Sequence, residues 1–590
     1  MNRLLRINNI YFFSAGCIFI YLVLRAALVP PVHDEAATFM HYIQRNEWIP
    51  YQAHWDANNH ILNSFLSAQF FKIFGQRLIS LRLASLLFFP VYVIYTYKIS
   101  LVLKNKWVRI GMLWGMLGVH NLMEYFAYSR GYAMSMALIL AAIFYLINYL
   151  QNFQLKKLWP FYIFSCLALV SNLTLFNTVL ILNGVVFCSF VLYNRQWLFK
   201  LLYLFLGAVP MFAVALLTFE MKRRGLLYYG SNKGFYEVTV WSLVMLIYDN
   251  WQPLVAQFFI LLSALSVIFL GVAAFPGGIK KTVFSNRWLF AFLFIGNILA
   301  TLLLQVLLKV NYPEDRTAMY FYFFLVLFFS FALDAVPFKK ARYLAFIWMV
   351  FPLHFFININ TTHSSYWWYE HLPQSFYREI ETRAGKEPEK ISVGGYVLMD
   401  MIWAYYNHQT GGRLNDIQTD DYPSFYYDYL LLYDDNNNAF AQDDYNTLFV
   451  SPVSGIRVLE RKQKIQLRFI QELAYPDKLN NTDEFISFID NDTLKKYKNL
   501  CVDFTMHFQN NDPFFFGMIT LGTNIKNERG PHESQELNLT RTEWKKGYDF
   551  HHRIYMQNIS AEASRVTVYF WNKRKRPVNL RQIKMKLYTW

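Results

Sequence analysis

Along its first 360 positions the chain repeats one pattern, windows of about 20 apolar residues separated by short polar stretches, which matches the hydrocarbon thickness of a bilayer. The pattern predicts an α-helical multi-pass membrane protein. Residues 11–28 form the first window. They lack a small-residue cleavage site and follow Arg3 and Arg6, so they read as a retained span and not as a removed signal peptide. Basic clusters recur at Lys104/Lys106/Arg109, Lys156/Lys157, Arg195/Lys200, Lys280/Lys281/Arg287 and Lys339/Lys340/Arg342. The positive-inside rule assigns all five to the cytoplasm together with the N-terminus. The chain then crosses twice in each interval, for example over residues 108–124 and back over 134–150. One more crossing, over residues 343–356, gives about eleven spans and an exterior C-terminus. Met221-Lys222-Arg223-Arg224 breaks the order, because parity places three cations outside; either the count is off by one there or an anionic partner holds them. Residues 238–247 are too short to span and are expected at the membrane interface.

Beyond about residue 360 the pattern turns polar, with clusters such as Asp434-Asp435-Asn436-Asn437-Asn438, and an exterior region of roughly 230 residues begins, enough for one or two cores. Three parts are expected: a transmembrane domain over residues 1–360, an extracytoplasmic α/β module over 361–460 and a β-sandwich-like module over 461–590. In the α/β module Ile391-Ser392-Val393 reads as a strand, residues 398–407 as a helix and 427–432 as a second strand, with Gly394-Gly395 as a turn. Near the C-terminus Val566/Val568/Phe570 alternate with Thr567/Tyr569, and after residues 572–577 the set Ile583/Met585/Leu587 alternates with Lys584/Lys586. Period two in two adjacent runs predicts a β-hairpin with one buried face. With further candidates at 501–508 and 514–521, a β-sandwich is expected. Such sandwiches often bind glycans, but a plain structural module is at least as common.

Composition narrows the picture further. At 55% hydrophobic, 19% aromatic and 16% charged, the chain is too apolar for a soluble protein. A net charge of +16 raises the question of nucleic acid, yet the basic residues are spread over loops instead of forming one basic domain. Topology and anionic lipid headgroups account for much of the excess, so membrane lipids are expected neighbours and nucleic acid is not. Cys17, Cys166 and Cys188 fall in hydrophobic segments and Cys501 alone in the polar region, so no disulfide framework is implied.

Candidate chemistry begins just past the first window, at Pro30-Pro31-Val32-His33-Asp34-Glu35. Two adjacent carboxylates at a membrane surface are costly and tend to mark function. The prolines stop the first helix, and residues 36–45 are expected as a short helix lying along the membrane. Asp34 at its N-terminus would be kept anionic by the macrodipole, as a general base requires, although an ordinary N-cap is the simpler role. Further along come His54-Trp55-Asp56-Ala57-Asn58-Asn59-His60, then Arg82-Leu83-Ala84-Ser85 and Tyr128-Ser129-Arg130-Gly131-Tyr132, and on another exterior loop Tyr312-Pro313-Glu314-Asp315-Arg316.

With these motifs in this order, residues 1–360 resemble the polyprenyl-phosphate-sugar-dependent glycosyltransferases of the GT-C superfamily, which include protein O-mannosyltransferases and lipid A aminoarabinose transferases. The resemblance implies a GT-C-like fold, Asp34 as the base that activates an acceptor hydroxyl, Glu35 helping to place acceptor or donor, and Arg130 near the lipid phosphate. Many relatives read His-Pro-Pro where this chain has His60-Ile61-Leu62, so a structural, hydrogen-bonded His60 stands beside a donor contact. The resemblance says little about the C-terminal region.

The chemistry asks for the same residue types. Displacement at an anomeric carbon needs one carboxylate to take the acceptor proton, while a phosphate leaving group needs cations and no acid. Arginine suits that task through its planar, permanently charged fork, which makes Arg130, Arg82 and Arg316 the donor-phosphate candidates; each has snorkelling at the interface as its simpler role. His54, Asn59 and His60 are the substrate-binding candidates. Asp34, Glu35, His54, Asp56 and His60 are possible ligands for a divalent metal, but no spacing is diagnostic and no cofactor is expected. The function expected is inverting transfer of a sugar from a polyprenyl phosphate to an acceptor hydroxyl on a protein, lipid or glycan, on the outer face of a bacterial inner membrane. A transporter or flippase of lipid-linked sugars is the alternative, though no repeated halves are visible. A non-catalytic glycan-binding or assembly protein is a third reading.

Overall fold

The computed structural model describes residues 2–193, 197–248, 253–272, 284–385, 391–411, 414, 417–419, 426–433, 444–525, 533–538 and 547–590. Arg195, Lys280, Lys281 and the Asp/Asn cluster at 434–438 lie outside the described residues. The chain forms two compact units, one of Met1–Val29 with Asp56–Tyr366 and the other of Pro30–Trp55 with Trp367–Trp590.

The first unit is helical. Among the described residues nine helices are long and apolar enough to cross a membrane: Asn8–Leu28, Leu78–Ser100, Gly131–Asn152, Leu173–Leu192, Lys200–Arg223, Pro253–Val272, Asn286–Leu308, Asp315–Ala335 and Lys339–Ile357. The protein is therefore an integral membrane protein. Two of the expected crossings do not form single long helices. Lys106–Leu117 stops at Gly118 and the chain restarts as the short helix His120–Glu124. Leu158–Ser171 stops at Asn172, whose side chain accepts the Thr174 N–H at 3.1 Å and opens the next turn. Both pieces are shorter than the roughly 20 residues a span requires.

The bundle has inner and outer helices. Gly131–Asn152 and Asp315–Ala335 are 83% and 89% enclosed by protein, against 28% for Asn8–Leu28, so the first two form the core. Close packing uses small residues: Gly111 and Gly115, four apart on Lys106–Leu117, face Ala345 and Trp348, and a methyl group at Gly111 would overlap the Ala345 carbonyl. The cations at 222–224 have protein partners. Arg223 and Arg224 pair with Glu220 at 2.8 and 2.6 Å, and Lys222 donates to the Leu308 carbonyl. Residues 235–248 form a π-helical turn, Phe235–Val240, followed by Trp241–Tyr248, a short apolar piece as expected for that stretch.

No candidate span falls in the described part of the second unit. Its α/β module is a five-stranded mixed sheet in the order Gln418–Thr419, Val393–Gly395, Tyr429–Leu432, Arg457–Arg461, Tyr445–Val450; the first three strands are parallel and the last two antiparallel. Gly394 and Gly395 are in a central strand and not in a turn, because the Tyr427 ring and Ile417 fill the space where their side chains would stand. The expected helix is present two residues later, as Asp400–Gln409.

The C-terminal part is a sandwich of two antiparallel sheets. One orders Glu533–Asn538, Met518–Ile525, Ala563–Trp571 and Phe485–Asn491; the other orders Tyr548–Met556, Leu500–Gln509, Val578–Thr589 and Arg468–Tyr475, with Lys478–Asn481 also on Val578–Thr589. Ala563–Trp571 and Val578–Thr589 do not pair with each other and lie in opposite sheets, which corrects the predicted hairpin. Their alternation reflects a shared core between sheets, with Val566, Val568 and Phe570 buried from one side and Met585 and Leu587 from the other. The Asn572 side chain braces the crossover by bonding the Arg576 carbonyl and N–H at 2.8 and 3.0 Å. The shift from Leu580 to Ile583 as successive core residues is a β-bulge, with Gln582 at φ 53°.

Candidate functional site

Residues 30–55 carry the adjacent carboxylates. The chain leaves the helix Asn2–Leu28, passes Pro30 and Pro31, and forms His33–Thr38 followed by the π-helical turn Phe39–Ile43. The cap position is Val32, with extended backbone, and the Glu35 carboxylate reaches back to accept its N–H at 3.4 Å. Asp34 is thus inside the first turn and not the N-cap, leaving its half-buried carboxylate outside that role. Glu35 is fully buried. The expected surface helix also needs correction, since residues 35–43 are all buried. The polar residues Glu35, Thr38 and His41 are buried along with Ala36, Phe39 and Met40, so no face of these residues is left to water, and the segment packs on Asp400–Gln409 within the second unit.

His54 ends up in the same unit, stacked on the His41 ring at 4.4 Å between centroids. Burial, with the charges of Arg45 and Arg574, pushes its pKa down to about 3, so the ring is neutral and could serve only as a neutral donor or acceptor.

The other candidates belong to the first unit. Arg130 is the cap residue of Gly131–Asn152 and is completely buried. Its Nη2 donates to the Asn58 side chain, its Nη1 lies 3.5 Å from the Asn58 carbonyl, and the guanidinium stands 5.5 Å from the Tyr132 ring centroid. His60 packs edge-on against the same ring at 4.5 Å, with Nδ1 2.8 Å from the Ser171 carbonyl. Gly131 is required between them: a methyl group there would run into the Ser171 carbonyl and come within 2.8 Å of the His60 ring. Asn59 accepts the Ser64 hydroxyl at 3.2 Å. Asn59 and His60 therefore lie on the loop that enters Ile61–Phe74, and Arg130, at the start of another helix, braces that loop through Asn58.

Arg82 and Arg316 go elsewhere. Arg82, also fully buried, donates to the carbonyls of Val29, Ala26 and Arg25 at 2.8, 3.3 and 3.4 Å, so it caps the end of the first span. Arg316 pairs with Asp315 at 3.0 Å and donates to the Tyr229 hydroxyl at 2.5 Å, which in turn donates to Asp315. Tyr366 adds a 3.2 Å bond to the same carboxylate, and Asp315 is held at φ 39°. Among the described residues no three of His, Cys, Asp and Glu are placed to share a metal ion.

One cluster was not anticipated from the sequence. Arg25, inside the first span, pairs with Glu124 at 2.8 Å. Both are buried, and His120 lies 3.2 Å from the same carboxylate. Tyr128 and Ser365 donate to Glu124 at 2.8 and 2.6 Å, while Arg25 also holds the carbonyls of Asn360 and His363. The available signal was the charge itself: an arginine within an apolar window needs a buried partner. Because Tyr128 belongs to the turn leading to Arg130, whose N–H bonds the Tyr128 carbonyl at 2.8 Å, the network also sets the backbone at Arg130.

Fold and site together define a polytopic membrane protein with an α/β module, a β-sandwich and a carboxylate pair on the segment that follows its first span. No protein-family profile matches the chain and no curated protein matches it. Among solved structures it is similar to ArnT from Cupriavidus metallidurans in the apo state, at 11% identity and a TM-score of 0.36, over 76% of this chain and 97% of that one. It is also similar to the arabinosyltransferase EmbB from Mycobacterium smegmatis, at 10% identity and a TM-score of 0.39, over 98% of this chain. The arabinofuranosyltransferase AftD from Mycobacteria gives 9% identity and a TM-score of 0.38 over 99% of this chain. The chain spans 64% of the EmbB chain and 61% of the AftD chain. Likeness at this level does not carry chemistry from one protein to another.

Proposed function

We propose that the protein is an inverting glycosyltransferase that moves a sugar from a polyprenyl phosphate to a hydroxyl of a protein, lipid or glycan outside the cytoplasm. The observation that carries the reading is the carboxylate pair Asp34–Glu35, on an ordered turn six residues past the end of the first membrane helix at Leu28, with Asp34 half-buried and not used as a cap. A membrane-linked donor presents its phosphate near the end of a span, so a base on such a turn suits a lipid-borne sugar. The Asp34 carboxylate takes the proton of the acceptor hydroxyl, the acceptor oxygen bonds the anomeric carbon from the face opposite the leaving group, and the bond from that carbon to the phosphate oxygen breaks. Polyprenyl phosphate leaves with the bonding pair. Arg130, fixed and permanently charged, is assigned to the leaving phosphate.

Asp34→Asn is the direct test, because asparagine keeps the shape but cannot accept the proton. The protein is reconstituted in vesicles of total lipid extract from the cells that carry it, an extract of the same cells' envelope proteins and glycans is added so that each acceptor class is present, and release of polyprenyl phosphate is followed. Asp34→Asn is expected to remove most of the release without altering the amount of folded protein. Wild-type release by Asp34→Asn would show the base assignment to be wrong.

A further inference from the structure

We propose that Glu370 and Asp400 of the second unit are positioning residues for the base, so that this unit is part of the catalytic apparatus and not an accessory module; the inference rests on the reading of Asp34 above. Residues 30–55 reach their fold inside the second unit, more than 300 positions away in sequence from the residues that hold them. His33, immediately before Asp34, is held through both its backbone and its ring. Its backbone N–H donates to Glu370 Oε2 at 2.6 Å. Its ring Nδ1 lies 3.0 Å from the Leu398 carbonyl, which can only accept, so that nitrogen carries the hydrogen; Asp400 Oδ1 is 3.5 Å from the same atom.

The two anchors are themselves fixed. Glu370 and Asp400 are both buried. Glu370 sits on the 3-10 turn Trp368–Glu370, and the residues after it are tied down: His371 bonds Ser451 and Ser454 at 2.9 and 2.8 Å, and Tyr406 bonds the Leu372 carbonyl at 2.8 Å. Asp400 opens the helix Asp400–Gln409 and accepts the Met401 N–H, so its carboxylate cannot swing away without losing that bond. The same helix grips the segment beyond Asp34, where Phe39 packs edge-on to Tyr405 at 5.1 Å and against His408 at 5.2 Å, and Gln44 bonds His408 at 3.2 Å. Asp34 is therefore clamped from both sides in sequence. A base must stand within hydrogen-bond reach of the hydroxyl it deprotonates, and a displacement of about 1 Å can cost on the order of a hundredfold in rate.

The test measures kcat and KM for polyprenyl phosphate release in the same vesicles, with the lipid extract as donor. Glu370→Met removes the acceptor, Glu370→Gln keeps an oxygen that can take the His33 N–H, and His33→Ala keeps the backbone bond but removes the ring contacts. Glu370→Met is expected to lower kcat about tenfold or more with KM within about twofold, and Glu370→Gln to restore kcat to within about threefold of wild type. A merely structural role would lower the amount of folded enzyme without this split. Wild-type kcat in folded Glu370→Met overturns the proposal. If Glu370→Met does not accumulate, His33→Ala decides: reduced kcat at unchanged KM supports the clamp, and wild-type kcat overturns it. Asp34→Asn is measured alongside. Full activity there removes the base assignment itself, whereas loss there with full activity in Glu370→Met removes only the clamp.

Discussion

Replacing Arg130 by lysine separates two jobs that one buried guanidinium could perform. Lysine keeps the charge but offers a point donor in place of a planar fork. In the structure the fork uses both Nη atoms on Asn58 and lies beside the Tyr132 ring. Lysine can keep one of those bonds. The loss is one charge-assisted hydrogen bond, about 1.5–3 kcal/mol, with up to about 1 kcal/mol more from the weakened ring contact. If the fork also serves a donor phosphate, the same geometric loss falls on the ligand and weakens affinity for polyprenyl phosphate about tenfold to a hundredfold.

The assay is thermal unfolding in detergent across a polyprenyl phosphate titration, since a ligand that binds only the folded protein stabilises it in proportion to the logarithm of concentration over Kd. Arg130→Lys is expected to lower unfolding temperature without ligand and to shift the titration to higher concentration. Asn58→Ala is the control: it removes the side-chain partner of Nη2 and leaves the cation and the backbone carbonyl, so the unliganded protein loses stability while affinity for the phosphate stays near wild type. An Arg130→Lys protein with lowered stability and unchanged affinity would refute the phosphate role and leave Arg130 as a brace for residues 56–60.

Arg25→Met should cost about 3–5 kcal/mol of stability by leaving Glu124 buried without its cation, and Arg25→Met with Glu124→Gln should cost clearly less than the sum of the single changes; additive costs in detergent unfolding would show the pair to be uncoupled. Orientation is read with an impermeant thiol reagent on intact cells. Native Cys501 is buried and silent, so cysteines are placed at the exposed Lys573 and Lys106: Lys573→Cys should label and Lys106→Cys should not, and the reverse would overturn an exterior C-terminal region. In the sandwich, burial raises the Asp503 pKa, but the hydrogen bond and charge of His551 and the Arg553 guanidinium outweigh it and hold the carboxyl below its ordinary value. A depressed folded-state value stabilises above the unfolded pKa of about 3.8 and is lost as pH falls through the folded value, so unfolding temperature should drop below about pH 4, and Asp503→Asn should flatten that drop.

The membrane class was legible because burial in lipid demands length and apolarity, and both are counted directly from residues. Crossing number was less so. A hydropathy window treats Gly118 and Asn172 as neutral spacers, while the backbone uses them to end helices, so one window becomes the short pieces Lys106–Leu117 and His120–Glu124 and another stops at Ser171, too short to span. In the sandwich the alternation at 566–570 and 583–587 gave the buried faces correctly but the wrong pairing. Period two reports which side of a strand is dry and nothing about which neighbour supplies the hydrogen bonds, so two consecutive strands facing one core look alike whether they share a sheet or oppose each other.

The candidate site shows the same divide between residue type and tertiary partner. Arginines can be picked out as candidates for a phosphate by type, but Arg82 turns to the last carbonyls of the first span, Arg316 to Asp315 and Tyr229, and Arg130 to Asn58. Each of those partners is distant in sequence except Asp315, and backbone carbonyls leave no residue-type signature at all. Asp34 is the contrasting case. Its position after the first span follows from local sequence, whereas the groups that fix its neighbour His33, Glu370 and Asp400, lie beyond the last membrane helix and look in sequence like ordinary surface acids. A carboxylate buried against a backbone N–H can be recognised only once the two segments meet, so the residue expected to do chemistry was visible early and the residues that hold it in place were not.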